Sequence, residues 1–326
     1  MTCLSRIAMN GMVLRLILRR LALAALTLLL VSAGVFFITN LLPGDAAQAA
    51  LGQAATPETV AALRLQYGLD LPAPLRYARW LGDLLSGNPG LSLVNNVPVA
   101  QMIGGRLPAS LMLAAVTAAV SVPLALLLGI ASAMYRGSTF DRVVNVSAVS
   151  LVSVPEFLIA TIAVMIFAVK LRWLSALSHS ADAATVGAFI KSYAMPVMTL
   201  CCVIVAQMTR MTRAAVIDQL RSSYAEMALL KGVRRTRIVL RHALPNAIGP
   251  IANAVALSLS YLLGGVIIVE SIFNYPGIAT LMIDAVTTRD MPLVQACSMI
   301  FCAGYLLLVL TADVLAIVSN PRLKTR

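Results

Sequence analysis

The chain has 326 residues, 60% of them hydrophobic and only 12% charged, with a formal net charge of +12. Soluble domains carry roughly 25% charged residues, so this chain cannot cover a water-facing surface, and its hydrophobicity excludes a disordered chain. A pI near 10.0 suits nucleic-acid binding, but a basic face on a soluble fold does not account for a mean hydropathy of +0.90. The composition is that of a polytopic helical membrane protein, and no nucleic-acid partner is expected.

In chain order, Arg6, Arg15, Arg19 and Arg20 precede an uncharged run at 21–42. That run exceeds the roughly 7–15 residues of a signal-peptide core and shows no small-x-small cleavage pattern, so it reads as a retained membrane helix. The segment 43–106 is too long for a mere link. Thr56-Pro57-Glu58 starts a helix there, with Thr56 as cap and Pro57 in the first turn. Val60, Leu63, Leu65 and Tyr67 are its apolar positions, and Gly68 stops it. A second helix is expected over 74–85, with Leu75, Tyr77, Trp80, Leu81 and Leu84 apolar. Both are expected on the outer membrane surface or at the mouth of the protein. Gly87-Asn88-Pro89-Gly90 reads as a turn.

Further apolar runs at 107–135, 143–169, 192–209, 243–269 and 291–312 reach or approach the ~20 residues that cross hydrocarbon. The run at 192–209 is marginal and is extended by Met208 and Met211. Six spans place both termini on one side. Of the 25 Lys and Arg residues, 17 lie on that side, at the two termini and in the connections after the second and fourth runs. It is therefore expected to be cytoplasmic. The acids there are Asp141, Asp218 and Glu226, which leaves +14 on that side and −2 on the rest of the chain. No internal repeat is visible.

The connection 210–245 holds more than charge. Tyr224-Ala225-Glu226-Met227-Ala228-Leu229-Leu230-Lys231 is a two-turn helix former stopped at Gly232. Glu226 sits early, where the helix dipole favours an acid, and Lys231 sits last, where it favours a base. Arg234, Arg235 and Arg237 follow. A short helix with small and apolar residues on one face suits a groove on a partner. A solvated basic loop explains the charge but not the helix and its glycine stop.

Glu226-x-Ala228-x-x-x-Gly232, nine residues, then His242-x-Leu244-Pro245, resembles the EAA loop of ABC importer permeases. Met227 stands for the middle Ala and His242 for Ile, with the spacing intact. Other stretches are similar to dipeptide/oligopeptide/nickel permeases of the B-subunit type. They are Leu42-Pro43-Gly44-Asp45, Tyr67-Gly68-Leu69-Asp70-x-Pro72, Ser153-x-Pro155-x-Phe157, Glu270-x-x-Phe273-x-x-Pro276-Gly277, Arg289-Asp290-x-Pro292 and Asp313…Asn320-Pro321-Arg322. Residues 87–92 depart from the family pattern, which carries an Asp there, and Asn320 replaces a second Asp.

The resemblance implies an all-α polytopic membrane protein: six transmembrane helices, a type I ABC importer permease fold, and both termini cytoplasmic. Residues 1–42 would form the N-terminal tail and first helix, and 43–106 an extracytoplasmic segment with short helices. Residues 107–317 would form the permease core with its coupling loop at 210–245, and 318–326 a cytoplasmic tail. The implied location is a bacterial inner membrane. The implied partners are a homologous second permease subunit, two ABC ATPase subunits, an extracytoplasmic solute-binding protein and the lipid bilayer. ATP and Mg would bind the ATPase subunits. This chain has no G-x-x-x-x-G-K-S/T phosphate loop, so no hydrolysis is expected from it.

The resemblance assigns ATPase coupling to Tyr224, Glu226, Met227, Ala228, Lys231, Gly232, Leu244 and Pro245. It places Glu270, Phe273, Pro276 and Gly277 where a binding protein docks; a turn ending a helix is the alternative. Glu156 is an acid inside an apolar run, which costs at least ~2.5 kcal/mol at a helix centre, so it should face the bundle or a wet cavity. Pro155 bends the helix beside it. Pro155, Glu156 and Phe157 are thus candidates for the translocation path, with Glu156 meeting a substrate amine; a paired structural acid or a boundary position is the alternative. Gly264-Gly265 allows close helix packing, and Asp313 is expected to cap a helix or pair with an Arg. His179 and His242 are single, and Cys3, Cys201, Cys202, Cys297 and Cys302 lack metal-ligand spacing, so no metal or cofactor is expected. No catalytic arrangement is visible. The rival reading is a self-contained secondary transporter, which calls for inverted repeats that this sequence lacks.

Overall fold

The computed structural model describes residues 3–41, 56–66, 70–175 and 185–319. The readings at Leu42-Pro43-Gly44-Asp45, Tyr67-Gly68-Leu69, His179 and Asn320-Pro321-Arg322 lie outside the described residues. Among the described residues the regular structure is helical, apart from an isolated β-bridge between Leu91 and Pro98.

Helix α1 (Cys3–Leu41) carries the first span over Arg15–Thr39. α2 (Pro57–Gln66) starts as the sequence suggests, with the Thr59 amide donating to Thr56 Oγ1 at 3.3 Å. α3 (Ala73–Leu85) is seated on α1 through aromatic rings. Tyr77 and Trp80 lie 5.4 and 5.7 Å from the Phe36 ring, and the Tyr77 hydroxyl shares a hydrogen bond with Ser32 Oγ at 2.8 Å. Gly87 and Gly90, at φ +84° and +90°, shape the turn that follows.

The second span, α4 (Val99–Met134), begins before its apolar run. The reason is packing: Val99 and Ile103 are buried in a cluster with Ile278, Leu281, Leu293 and Cys297. The run at 143–169 is not one helix. It divides into α5 (Thr139–Ser153) and α6 (Glu156–Ala163), which continues as a wide π turn to Lys170, and the two arms meet at 100°. Pro155 has no amide to donate, and its ring pushes Val154 into extended backbone (φ −93°, ψ 128°). The expected bend is therefore a full break.

α7 (Val186–Leu220) is the fourth span and runs well past its apolar stretch at both ends. After the short α8 (Ser223–Leu230), the fifth span runs over Arg235–Ile272. It comprises α9 (Arg235–Ile238), a π turn at Val239–Ala243 and α10 (Leu244–Ile272). α11 (Ile278–Thr287) and α12 (Met291–Ser319) complete the chain. Among the described residues five helices are long and apolar enough to span, and six spans result when the broken pair is one.

α4, α7 and α10 enclose the central core, where Leu113, Met195, Leu200, Met208, Leu262, Val269, Phe273 and Tyr275 are buried. Where α4 and α7 approach most closely, a Cβ on Gly129 would stand 2.8 Å from Thr212 Cβ and 2.9 Å from the Thr209 carbonyl. Helices in lipid gain their contact from such small residues. α1 is tied to α12 by Gln295 Nε2 donating to Thr39 Oγ1 at 2.8 Å, and by the Arg20–Asp313 ion pair at 2.8 Å, the pairing foreseen for Asp313.

Gly129→Val overpacks this crossing, and such changes cost about 1–3 kcal/mol. The purified variant should melt at lower temperature in detergent, whereas Gly34→Ala, with nothing within 4 Å, should not.

Candidate functional site

α8 is built as a short, exposed helix with a defined stop. Glu226 lies in its first turn. At its end the Val233 amide donates to the Ala228 carbonyl at 3.1 Å and the Gly232 amide to Leu229 at 2.9 Å. Gly232 adopts φ +77°. This is the Schellman arrangement, and it needs a residue that tolerates left-handed backbone. Ala225 is buried against the body of the protein. Apart from Ala225, the large apolar side chains of the helix are open: Leu230 is 76% exposed, Leu229 60% and Met227 54%. Tyr224 is exposed too, and its hydroxyl donates to Gln219 Oε1 at 2.9 Å.

The structure thus brings Tyr224, Glu226, Met227, Ala228, Lys231 and Gly232 into one unit. Leu244 and Pro245 lie apart from it, at the start of α10. Pro245 also explains the π turn before it. Its ring would collide with the carbonyl four residues back, and the wider turn at Val239–Ala243 relieves that clash. The motif-based coupling set omits Leu229 and Leu230, the most exposed apolar side chains of α8. The signal was present as two leucines directly before the helix stop.

Asp141 was also not singled out, yet it is 4% exposed and saturated with donors. Arg213 grips it bidentately, Nε to Oδ1 at 2.7 Å and Nη2 to Oδ2 at 2.9 Å. Ser132 Oγ (2.5 Å), the Gly137 amide (2.9 Å) and Asn145 Nδ2 (2.9 Å) complete the shell. The group joins the end of α4, the turn after it, the start of α5, and α7 two turns before its Leu220 end. A lone acid between Arg136 and Arg142 was the only sequence signal.

The 270–277 motif is placed differently from the expectation. Glu270 and Phe273 are both 0% exposed, so neither presents a side chain to a docking partner. Glu270 instead receives Ser110 Oγ on Oε1 at 2.5 Å, and the amides of Ala279 and Thr280 on Oε2 at 2.9 and 3.3 Å. It caps α11 and fastens it to α4. Gly277 is required because any Cβ there would collide with the Glu270 carboxylate. The Tyr275 hydroxyl is shared with Tyr193 at 2.8 Å and reaches the Ala109 carbonyl at 2.9 Å. Of the expected contact set, Pro276 is half-buried and lines a polar cleft of about 360 Å³ with Arg106, Ser271, Asn274 and Asp284.

At the break in the third span, Pro155 and Phe157 are exposed and Glu156 is half-buried. The Glu156 carboxylate turns inward to Gly265, where a Cβ would stand 2.8 Å from Oε2. Gly265 therefore makes room for an acid, beyond allowing helices to approach. Among the described residues no three His, Cys, Asp or Glu side chains gather as metal ligands.

Residues 125–325 match the family described as binding-protein-dependent transport system inner membrane component, and residues 13–114 match the N-terminal region of the same kind of component. The chain belongs to this permease family. A glutathione transport system permease protein of Pectobacterium atrosepticum is 37% identical over 299 residues, covering 91% of this chain and 95% of the relative. One from Salmonella typhimurium is 35% identical over 312 residues, covering 95% and 99%. A probable peptide ABC transporter permease protein of Sinorhizobium fredii is 32% identical over 308 residues, covering 94% and 98%. The permease is thus the transmembrane subunit of an ATP-driven ABC importer in a bacterial inner membrane, within the dipeptide/oligopeptide family. Membership favours this role over that of a self-contained secondary transporter.

Removing one partner of a buried, bidentate pair leaves the other charge uncompensated, at a cost of about 3–5 kcal/mol. Asp141→Ala should therefore lower the melting temperature of the purified permease sharply, and Asp141→Ala with Arg213→Met should recover most of the loss. Equal melting of the unmodified and Asp141→Ala forms would contradict this account.

Proposed function

We propose that this permease docks α8 into a cleft of an ABC ATPase subunit and that ATP-driven closure of two such subunits is transmitted through α8 to the spans. The observation that carries this reading is the exposure of the apolar side chains Met227, Leu229 and Leu230 on α8, a helix stopped by Gly232 and followed by the basic run Arg234–Arg237. An apolar helix face left open beside spans otherwise packed together fits a partner groove. In this reading both termini and the 210–245 loop are cytoplasmic, as the Lys and Arg distribution supports. ATP and Mg belong to the ATPase subunits, and this chain binds no cofactor of its own.

A homologous second permease completes the pathway, which opens alternately to each side. An extracytoplasmic solute-binding protein delivers the solute to the 43–106 segment and the cleft around Asn274 and Pro276. The glutathione and peptide relatives support a small peptide or peptide-like solute. Alternating access needs the spans to move as rods, and α7 supplies one: it carries Tyr193 near one end and Arg213 near the other.

Gly232→Asp places a side chain in left-handed backbone and a charge beside the apolar face; Glu226→Lys reverses the charge in the first turn of α8. The strain of a side chain at φ +77° falls at the exit of the exposed α8, where nothing lies within 4 Å of the Cβ position, so the packing of the spans should hold. Both variants should stay in the membrane with the second permease, lose co-purification with the ATPase subunits and lose ATP-dependent uptake. Normal uptake in both would refute the docking role.

A further inference from the structure

Among the described residues the buried acids are satisfied, and the half-buried Glu156 is not. Asp141 and Glu270 each receive at least three donors, and Asp290 receives Ser92 Oγ and the Leu93 amide. Glu156 sits inside the broken third span and, among the described residues, no hydrogen-bond donor or cation reaches its carboxylate. Its position at the first turn of α6 gives it some favour from the helix dipole. That effect is small beside the cost of a lone acid at membrane depth. The acid is also not needed for the break, since Pro155 accounts for it and the Ser-x-Pro-x-Phe pattern leaves position 156 open.

The surroundings say what is missing. The carboxylate lies in a notch floored by Gly265, with the Leu200 methyl 3.1 Å from the same Cβ position. Gly265 is seven residues from the Ile272 end of α10, about 10 Å at 1.5 Å per residue. Beside it Gly264 is exposed, with nothing within 4 Å of its Cβ position, and Tyr261, one turn away on that helix, is 67% exposed. A half-buried, unpartnered carboxylate and an exposed phenol at one level of a span do not suit hydrocarbon. They suit a wet face that receives a polar occupant carrying positive charge.

We infer that Glu156, seated in the Gly265 notch, is a specificity site for a protonated amine on the transported solute. This rests on the importer reading above and names the solute class: compounds with a free ammonium group, such as peptides with an unblocked N-terminus. The amine forms a charge-assisted hydrogen bond with the carboxylate as it passes. Gly265 is part of the site because only a residue without Cβ leaves the carboxylate its seat.

The test uses the whole importer, with both permeases, the ATPase subunits and the solute-binding protein, in proteoliposomes. Uptake of radiolabelled glutathione and dialanine is followed together with ATP hydrolysis and subunit co-elution. Glu156→Gln should lower maximal uptake of the transported amine about tenfold or more, the scale of a lost bond to a charged group. Glu156→Asp should lower it less. ATP hydrolysis and subunit composition should be unchanged in both. Gly265→Ala should reproduce the loss, and Gly249→Ala, on the same helix with nothing within 4 Å, should not. Full uptake by Glu156→Gln overturns the proposal. So does loss of the second permease from that variant, which would show the carboxylate paired across the subunit boundary, and so does a parallel loss of ATP hydrolysis, which would show a structural role. If the unmodified importer takes up neither probe, the peptide reading fails and the amine site falls with it.

Discussion

The Glu270 carboxylate is the joint on which one end of the molecule is assembled. In a bilayer no water reaches a buried helix terminus, so every free amide there must find a partner within the protein. Glu270 supplies that partner to the first turn of α11 while holding Ser110 on α4. Ser110 Oγ in turn accepts the Ile278 amide at 2.8 Å. With α11 fixed, Ile278 and Leu281 can close the apolar cluster with Val99, Ile103 and Leu293. The α11–α12 connection then presents Asp290, which fastens Ser92 and Leu93 of the segment between the first two spans. Each step positions the next, and the first is an acidic side chain that has no other reason to be dry.

A second joint, Asp141 with Arg213, lies at the far end of the same bundle. α7 reaches both regions. Tyr193 on it meets Tyr275 of the Glu270 loop, and Arg213 meets Asp141 twenty residues later, about 30 Å along a helix. α8 follows directly from this rod. The apolar contacts between α4, α7 and α10 hold the rod in place, with Gly129 leaving room for Thr212 and the Thr209 carbonyl. A displacement of α8 therefore has a stiff, hydrogen-bonded route to the opposite end of the protein.

The sequence conveys some of this and conceals the rest for physical reasons. Spans were legible because crossing hydrocarbon needs long uncharged runs, and α8 was legible because Gly232 stops a helix and its neighbours build one. The 100° break at Pro155 was legible only as a bend, since a proline permits a kink or a full break and packing against α7 and α10 decides between them. The partners of Glu270 and Asp141 were not legible. Ser110 lies 160 residues from Glu270 and Arg213 lies 72 from Asp141, and no local pattern links such pairs. The same limit turned the Glu270 motif from an expected contact surface into an internal cap. Gly265 looked like any small residue at a helix crossing until the carboxylate it accommodates was in view.

The open leucines of α8 carry a further consequence, for the life of the chain before assembly. An unassembled copy displays Leu229 and Leu230 to the solvent on a short helix beside a dense basic stretch. Such a surface is what chaperones and proteases recognise as unfinished protein. Under the docking proposed above, burial of those two side chains distinguishes an assembled copy from a free one.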